Sequence, residues 1–191
     1  MEIKNLLPIH TRQDLRAWFL ENSAREKECW VLVTRSKTPS DYAIAYLDVV
    51  EEALCFAWID STCKKTADGK IVQRLTPRKP NSPWTELNKE RVRRLAKLGL
   101  MTEAGYAVLP DMNPEHFKID PVIKRWLQNN PDAYANFKNF PPLYQRVRIN
   151  TLQKKKKQPD IFQIRFAKFK ENTKKNIMYG NWNDNGRLLD Y

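Results

Sequence analysis

The side chains best suited to chemistry in this sequence are concentrated between residues 58 and 91, where arginine, aspartate and tryptophan are interspersed with prolines. Guanidinium groups bind phosphates and carboxylates through paired hydrogen bonds, the first turn of a helix offers N–H donors, and an indole can cover a ring. This combination predicts a site for an anionic ligand. The predicted ligand-binding residues are Trp58, Asp60, Arg74, Arg78, Trp84, Asn88 and Arg91.

Several of these residues also have a purely structural interpretation. Trp58 and Trp84 could be core aromatics, which is the commoner role of a large indole. Asp60 could act as a general base or a ligand contact, or it could bond to Arg74 or Arg78 and stiffen the chain at this point. The sequence leaves these alternatives open.

Few residues could carry a catalytic reaction or hold a metal ion. The chain has two histidines, His10 and His116, and its three cysteines lack the spacing of a metal site. Cys55 lies in an apolar stretch and is expected to be a buried thiol, whereas the lysines that follow Cys63 would favour its thiolate. An odd number of cysteines indicates reduced thiols. The sequence therefore predicts no catalytic residue, no cofactor and no metal ligand.

The formal net charge of +12 over 191 residues indicates anionic partners. Residues 64–97 carry eleven basic and three acidic residues, and residues 131–191 carry thirteen and five, so each segment has a net charge of +8. The partners that this charge favours are an anionic small molecule or a nucleic acid. The residues that would contact a nucleic acid are Arg146, Arg148, Lys154–Lys157, Arg165, Lys168, Lys174 and Lys175. The alternative for Lys154–Lys157 is a solvated loop.

The composition is that of a folded, non-membrane protein. Hydrophobic residues make up 41% of the chain and aromatic residues 11%, which is enough for a packed core. The first nine residues lack the apolar run of a signal peptide, and no stretch of about 18 apolar residues is present. We therefore expect a cytoplasmic protein without a transmembrane segment.

Two elements are predicted before residue 35. Thr11 precedes an amphipathic pattern and is placed to cap a helix that ends near Asn22. Cys29–Val33 is a short apolar run flanked by charge, which is typical of a strand buried on both faces.

A longer helix is predicted to lead directly into the predicted site. Its apolar positions repeat at helical spacing over residues 43–57, after a turn and cap at Thr38–Asp41. Trp58–Asp60 would lie at its exit, and a hairpin over residues 59–76 would bring the end of its second strand nearby.

The next helix would complete the site, with Ser82 or Thr85 as its cap and Gly99 at its end. Its inward face is predicted to hold three leucines, Leu87, Leu95 and Leu98. Its solvated face is predicted to hold a charged ladder at i, i+4 spacing, Glu86, Glu90 and Arg94.

Prolines divide the second half of the chain into short helices. Asp120–Pro121 and Asn130–Pro131 have the pattern of a cap followed by a first helical residue. The stripe Phe162, Phe166 and Phe169 has helical spacing and is expected to be core.

The predicted fold class is α+β, with a small antiparallel sheet and packed helices in the N-terminal half and a bundle of short helices in the C-terminal half. The predicted division is an α+β region at residues 1–115, a basic helical region at 116–179 and an irregular tail at 180–191.

Several motifs resemble the YdeI/OmpD-associated family, also called the bacteriocin-protection family. That family has approximately Ala-Leu-Cys-Phe-Gly-Trp-Ile-Asp-Gly, then Phe-Thr-Pro-Arg, then Ser-x-Trp-Ser-x-x-Asn. The corresponding segments here are Ala53–Ser61, Leu75–Arg78 and Ser82–Asn88, and Met101–Gly105 continues the match. The resemblance extends over residues 12–110 and only loosely into the helical tail.

The resemblance implies an α+β part joined to a helical part, and the family's name points to envelope stress or bacteriocin resistance. It implies no particular reaction. Ala57 and Ser61 replace glycines of the pattern, which would restrict the approach of a ligand to the backbone. The residue pattern and the resemblance together favour a non-enzymatic binding protein for an anionic ligand or partner. The alternatives are an enzyme acting on a phosphorylated or carboxylated small molecule, with Asp60 as acid or base, and a non-specific nucleic-acid binder.

Overall fold

The computed structural model describes residues 2–36 and 40–191, which form two compact units. Unit 1 comprises Met1–Pro83 and Arg91–Pro110, and unit 2 comprises Trp84–Glu90 and Asp111–Tyr191.

Unit 1 is built on a four-stranded sheet. The strands are β1 (Cys29–Thr34), β2 (Ile44–Ala45), β3 (Trp58–Lys65) and β4 (Ile71–Pro77), in the spatial order β2-β1-β4-β3. β1 pairs with β4 and β4 with β3 in antiparallel orientation, as the predicted hairpin requires. β2 pairs with β1 in parallel, so the sheet is mixed and not purely antiparallel. The α+β fold class is confirmed.

The strand β1 lies at the centre of the unit 1 core. Cys29, Trp30 and Val31 each have 0% of their surface exposed, and Val33 has 4%. Both faces of β1 are therefore buried, which explains why its sequence is a continuous apolar run without alternation. The predicted strand is confirmed.

The first helix, α1 (Arg12–Asn22), begins where the sequence predicts. The side chain of Thr11 accepts a hydrogen bond from the backbone N–H of Asp14 at 3.1 Å, which satisfies one of the free donors of the first turn. Leu15 and Phe19 have 0% of their surface exposed, and they bury the apolar face of the helix in the core.

The second helix, α2 (Tyr46–Cys55), starts later than the sequence predicts. Ile44 and Ala45 form β2, in which they pair with Val33 and Thr34 of β1. The helix therefore begins directly after β2. Ala45 stands at the cap position without a side-chain hydrogen bond. The predicted cap at residues 38–41 is therefore wrong in position, and residues 38 and 39 lie outside the described part of the chain.

The helix α3 (Glu86–Lys97) has the predicted cap, because Thr85 Oγ1 accepts a hydrogen bond from the backbone N–H of Asn88 at 3.0 Å. It is followed by α4 (Glu103–Ala107). Leu95 is fully buried, but Leu98 is 50% exposed, contrary to prediction. Leu98 lies beyond the last helical residue, where the chain turns into Gly99 at a φ of 67°, so helical spacing no longer sets its direction.

The predicted solvated ladder on α3 is also wrong, because Glu86 and Glu90 are only 4% and 9% exposed. In unit 2, Arg146 contacts Glu86 at 3.6 Å and Glu90 at 3.2 Å. In unit 1, Arg94 contacts Glu51 at 3.0 Å. All three residues pair with partners distant in sequence, which helical spacing does not reveal.

A network of buried ion pairs joins three helices of unit 1. The Glu51 and Glu52 side chains of α2 are 1% exposed. Arg12 reaches both carboxylates at 2.7 Å, and Arg16 reaches Glu52 at 2.9 Å, while Arg94 completes the network at Glu51. Buried carboxylates are tolerated only when they are paired and hydrogen-bonded, so this network is a condition for folding around α2.

Unit 2 is helical. Its helices after residue 111 are a 3-10 turn (Pro114–His116), α5 (Pro121–Gln128), α6 (Pro131–Asn139), α7 (Pro142–Gln153) and α8 (Pro159–Lys174). Proline occupies the first turn of each of them, where its missing N–H costs nothing. Residues 180–191, all of which are described, contain turns and bends without a helix or strand.

The unit 2 core is rich in aromatic rings. Phe162, Phe166 and Phe169 belong to it with 7%, 4% and 0% of their surfaces exposed, so the predicted core stripe is confirmed. Asp120 caps α5 by accepting from the Val122 N–H at 2.9 Å, as predicted. Asn130 precedes α6 without such a bond and instead donates to the Trp126 carbonyl.

Candidate functional site

The seven predicted ligand-binding residues are divided between the two units. Trp58, Asp60, Arg74, Arg78 and Arg91 belong to unit 1. Trp84 and Asn88 belong to unit 2, where both are half-buried at the start of α3. The site of unit 1 is described first.

Trp58 is a core residue. Its side chain is 1% exposed and packs edge-to-face against Trp18 and Phe19, with ring centroids 5.7 and 5.2 Å apart. Its indole N–H donates to the Ser23 carbonyl at 3.2 Å. Between the two interpretations of Trp58, burial favours packing, since a fully covered indole offers no surface to a ligand.

Arg74 forms an ion pair with Glu28. Its Nε donates to Glu28 Oε2 at 2.7 Å, and its terminal nitrogen contacts the same oxygen. Glu28 lies immediately before β1, the strand that pairs with β4, so the pair joins neighbouring strands of the sheet. Arg74 therefore stabilises the sheet through Glu28.

Asp60 is bound by a residue that the sequence analysis did not identify. The hydroxyl of Tyr46 donates a hydrogen bond to Asp60 Oδ2 at 2.7 Å, a short distance typical of a charged acceptor. Tyr46 is the first residue of α2 and Asp60 the third of β3. Both side chains are half-buried, so solvent still reaches the pair.

The charges of three arginines act on this pair. The guanidinium of Arg35 stacks over the Tyr46 ring, with its carbon 4.1 Å from the ring centroid, and its charge acts on the hydroxyl. The charge of Arg91 also acts on Tyr46, and Arg78 lies within electrostatic range of Asp60. We call these five residues, Arg35, Tyr46, Asp60, Arg78 and Arg91, the arginine–tyrosine cluster.

The electrostatics of the cluster fix the protonation of Tyr46. Burial raises the pKa of Tyr46 to about 12, the Asp60 carboxylate adds to this rise, and the charges of Arg35 and Arg91 oppose it. Tyr46 therefore remains a neutral donor at neutral pH. Burial also lowers the pKa of the Arg78 guanidinium, which the Asp60 carboxylate counteracts.

The two inner arginines are buried. Arg78 and Arg91 are each 7% exposed, whereas Arg35 is exposed. The backbone N–H of Arg78 donates to the Ala57 carbonyl at 2.8 Å, which ties the end of β4 to the turn between α2 and β3. Ala57 has a φ of 61°, in the left-handed region that favours glycine. This conformation explains why the resembling family pattern has glycine at the position of Ala57.

No local signal in the sequence marks Arg35 or Tyr46. Arg35 directly follows β1 and precedes the undescribed residues 37–39, and Tyr46 falls inside a stretch predicted to be mid-helix. Tyr46 meets Asp60 because α2 packs against β3, which is a tertiary contact.

The basic residues of the helical half have varied environments. Arg146 is paired with Glu86 and Glu90, and Arg148 is 7% exposed and donates to the Tyr179 carbonyl. Within the lysine run, Lys156 pairs with Asp120, whereas Lys154 and Lys157 are exposed. Lys168 and Lys174 are also exposed, and Lys175 pairs with Glu171. Nucleic-acid binding by this half stays a prediction.

The three cysteines differ in their exposure to solvent. Cys29 and Cys55 are buried, and burial raises the pKa of each thiol to about 12, while Cys63 is exposed. Among the residues that the structure describes, no group of three or more His, Cys, Asp or Glu side chains is placed to hold a metal ion. Within the same residues, no helix is long and apolar enough to cross a membrane.

Comparison with known protein families gives two matches along the chain. Residues 7–108 match a family described as a domain of unknown function, DUF8412. Residues 116–176 match the family described as bacteriocin-protection, YdeI or OmpD-associated. No curated protein and no solved structure matches the chain. The family resemblance is confirmed, although its match lies on the helical residues and not on the motifs that suggested it. The chain belongs to the DUF8412 family, whose match covers more than half of its residues.

Proposed function

We propose that this protein is a non-enzymatic binding protein for a small anionic ligand, and that the arginine–tyrosine cluster is its binding site. The observation that supports this proposal is the hydrogen-bonded Tyr46–Asp60 pair, with the Arg35 guanidinium stacked on the Tyr46 ring and the charges of Arg78 and Arg91 acting on the pair. With Tyr46 neutral, the cluster carries three positive charges and one negative charge. A surplus of positive charge in a partly desolvated place favours an anion more strongly than it would in open water.

Each member of the cluster would have a distinct role. The exposed Arg35 would contact the ligand first, and its planar stacking on Tyr46 would hold its fork in one orientation. Arg78 and Arg91 are buried and would contribute charge without further ordering of their side chains. Asp60 would accept hydrogen bonds from a hydroxyl or amino group of the ligand.

A catalytic role for Asp60 is the competing hypothesis. A general base must be free to take a proton from the substrate. Asp60 already accepts a hydrogen bond from the Tyr46 hydroxyl at 2.7 Å, and the charge of Arg78 interacts with it. This arrangement supports a fixed carboxylate with a positioning role.

The test begins with a thermal-shift screen of the whole chain against phosphate, pyrophosphate, nucleotides, small dicarboxylates and short nucleic acids, each at low and high salt. Binding of each stabilising compound is then measured by titration calorimetry for the wild type and for Arg35→Glu. Arg35 is chosen because it is exposed, whereas a carboxylate at Arg78 or Arg91 would be buried and would threaten folding. Lys27→Glu is the matched control, since it makes the same change of charge at an exposed position of unit 1.

We expect Arg35→Glu to weaken binding of a compact anion by about tenfold or more, which corresponds to about 1.4 kcal/mol, and Lys27→Glu to leave it unchanged. Arg35→Lys should bind with intermediate affinity, because it keeps the charge and loses the planar fork. Equal affinity in wild type and a folded Arg35→Glu variant would contradict the proposal. Stabilisation only by nucleic acids, lost at high salt, would favour the nucleic-acid hypothesis instead.

The family description, bacteriocin protection, supports a cellular extension of this proposal, in which anion binding contributes to stress or bacteriocin resistance. Survival of bacteriocin-treated cells that express the wild type or Arg35→Glu tests it. Equal survival with both proteins would show that the arginine–tyrosine cluster does not contribute to bacteriocin resistance.

A further inference from the structure

A groove on the surface of unit 2 is separate from the arginine–tyrosine cluster and independent of the function proposed for it. It has a volume of about 610 Å³, within the range of ligand-binding clefts. Phe117, Ile119, Leu127 of α5 and Tyr134 of α6 line it. The groove therefore combines these apolar and aromatic side chains with polar ones.

The apolar lining is partly exposed to solvent. Tyr134 has 37% of its surface exposed, and Phe117 and Ile119 are half-buried while they pack on the aromatic core of unit 2. Leu127, in contrast, is 1% exposed and belongs to that core. Leu127 thus belongs to the packed core, and an occupant that covers Phe117, Ile119 and Tyr134 would remove apolar surface from water.

The charges at the groove are positive. Lys118 and Lys124 line it and are exposed, and the Lys138 ammonium lies 4.8 Å from the centre of the Tyr134 ring. Asp120, which follows the lining residue Ile119, pairs with Lys156 at 2.5 Å and accepts the capping hydrogen bond of α5. An occupant with acidic groups beside an apolar side chain would therefore match the groove in both charge and polarity.

A second depression of about 240 Å³ lies beside the first and shares Phe117 and Ile119 with it. It is lined further by Phe137, Pro142 and Arg146. Because the two depressions share lining residues, two successive side chains of one occupant could enter them. Extended chains bind in this way, by placing successive side chains into neighbouring pockets.

We infer that this groove docks an acidic peptide segment of a partner protein, with an apolar side chain in the groove between Phe117 and Tyr134 and carboxylates against Lys118 and Lys124. Long, flexible lysine side chains give orientation and fast association more than tight affinity. The interaction is therefore reversible and salt-sensitive.

The experiment measures fluorescence anisotropy of a labelled synthetic peptide, Glu-Asp-Leu-Phe-Glu-Asp, titrated with the whole chain at low salt. Control peptides replace the acids with Gln and Asn, or replace Leu-Phe with Ser-Gly. The protein variants are Lys118→Glu/Lys124→Glu and Tyr134→Ala. The matched control is Lys157→Glu/Lys168→Glu, which makes the same change of charge at two exposed lysines of unit 2 that do not line the groove.

We expect the Lys118→Glu/Lys124→Glu variant to lose about tenfold or more in affinity and Tyr134→Ala to lose several-fold, while the control variant binds as the wild type does. Both control peptides should bind more weakly than the parent peptide. Lack of peptide binding by the wild type, or an equal loss in the control variant, would overturn the inference. Equal displacement of the peptide by an oligonucleotide in all variants would also overturn it, since general charge would then explain the binding.

Discussion

Replacing Tyr46 with phenylalanine removes one hydroxyl and thereby tests the centre of the arginine–tyrosine cluster. The hydroxyl donates to the Asp60 carboxylate at 2.7 Å. A hydrogen bond to a charged group contributes about 1.5–3 kcal/mol to stability when its loss leaves the partner unsatisfied. Because Asp60 is half-buried, water would replace part of the lost bond. We therefore expect the variant to be less stable by about 1.5 kcal/mol at neutral pH, at the lower end of that range.

The pH dependence of this difference follows from the pKa of Tyr46, which is raised from 10.0 to about 12 in the folded protein. Between these values the unfolded chain has lost the phenolic proton and the folded chain has kept it. The unfolded state then binds fewer protons, so stability falls as pH rises. The contribution of Tyr46 is fully present below pH 10 and is lost as pH rises through about 12. A shift of this size corresponds to at most about 2.7 kcal/mol.

Urea unfolding of the wild type and of Tyr46→Phe, followed by tryptophan fluorescence from neutral pH up to pH 12, measures both effects. Tyr42→Phe is the matched control, because Tyr42 is 52% exposed. We expect the difference between wild type and Tyr46→Phe to shrink above pH 10 and the control to follow the wild type throughout. Equal stability at neutral pH, or a difference that does not change with pH, would refute the assigned hydrogen bond and its effect on the pKa.

Two further predictions concern unit 1. Arg12→Leu should destabilise the protein by about 2–3 kcal/mol in urea unfolding. This is less than the cost of a fully broken buried ion pair, because Glu52 keeps Arg16 and Glu51 keeps Arg94 as partners. A loss of stability no larger than that of the exposed control Arg25→Leu would contradict this prediction. Cys63 should react rapidly with a thiol reagent at mildly alkaline pH, while Cys29 and Cys55 should react only after unfolding, because burial raises the pKa of both thiols to about 12. Rapid reaction of more than one thiol in the folded protein would show this to be wrong.

Much of the local structure could be predicted from the sequence because its causes are local. The Thr11 cap, the apolar run of β1 and the phenylalanine stripe of α8 each depend on neighbouring residues at a fixed spacing. The late start of α2 could not be predicted in this way. Ile44 and Ala45 fit a helix by spacing, but pairing with β1 places them in the sheet.

Some residues of the candidate site could likewise be predicted from the sequence, and others could not. Asp60, Arg78 and Arg91 could be proposed from the sequence because they lie in one dense polar segment. Arg35 and Tyr46 could not be proposed from the sequence, because only the packing of α2 against the sheet brings Tyr46 to Asp60.

The sequence by itself determined the α+β class, the basic charge and the residue types that indicate an anionic partner. These properties depend on composition and short-range pattern. The tertiary structure alone decided that Trp58 is core, that Arg74 pairs with Glu28, and that Tyr46 holds Asp60 among three arginines. Ion pairs and hydrogen bonds between residues far apart in the chain depend on distances of a few ångströms, and only the packing of helices against the sheet sets those distances.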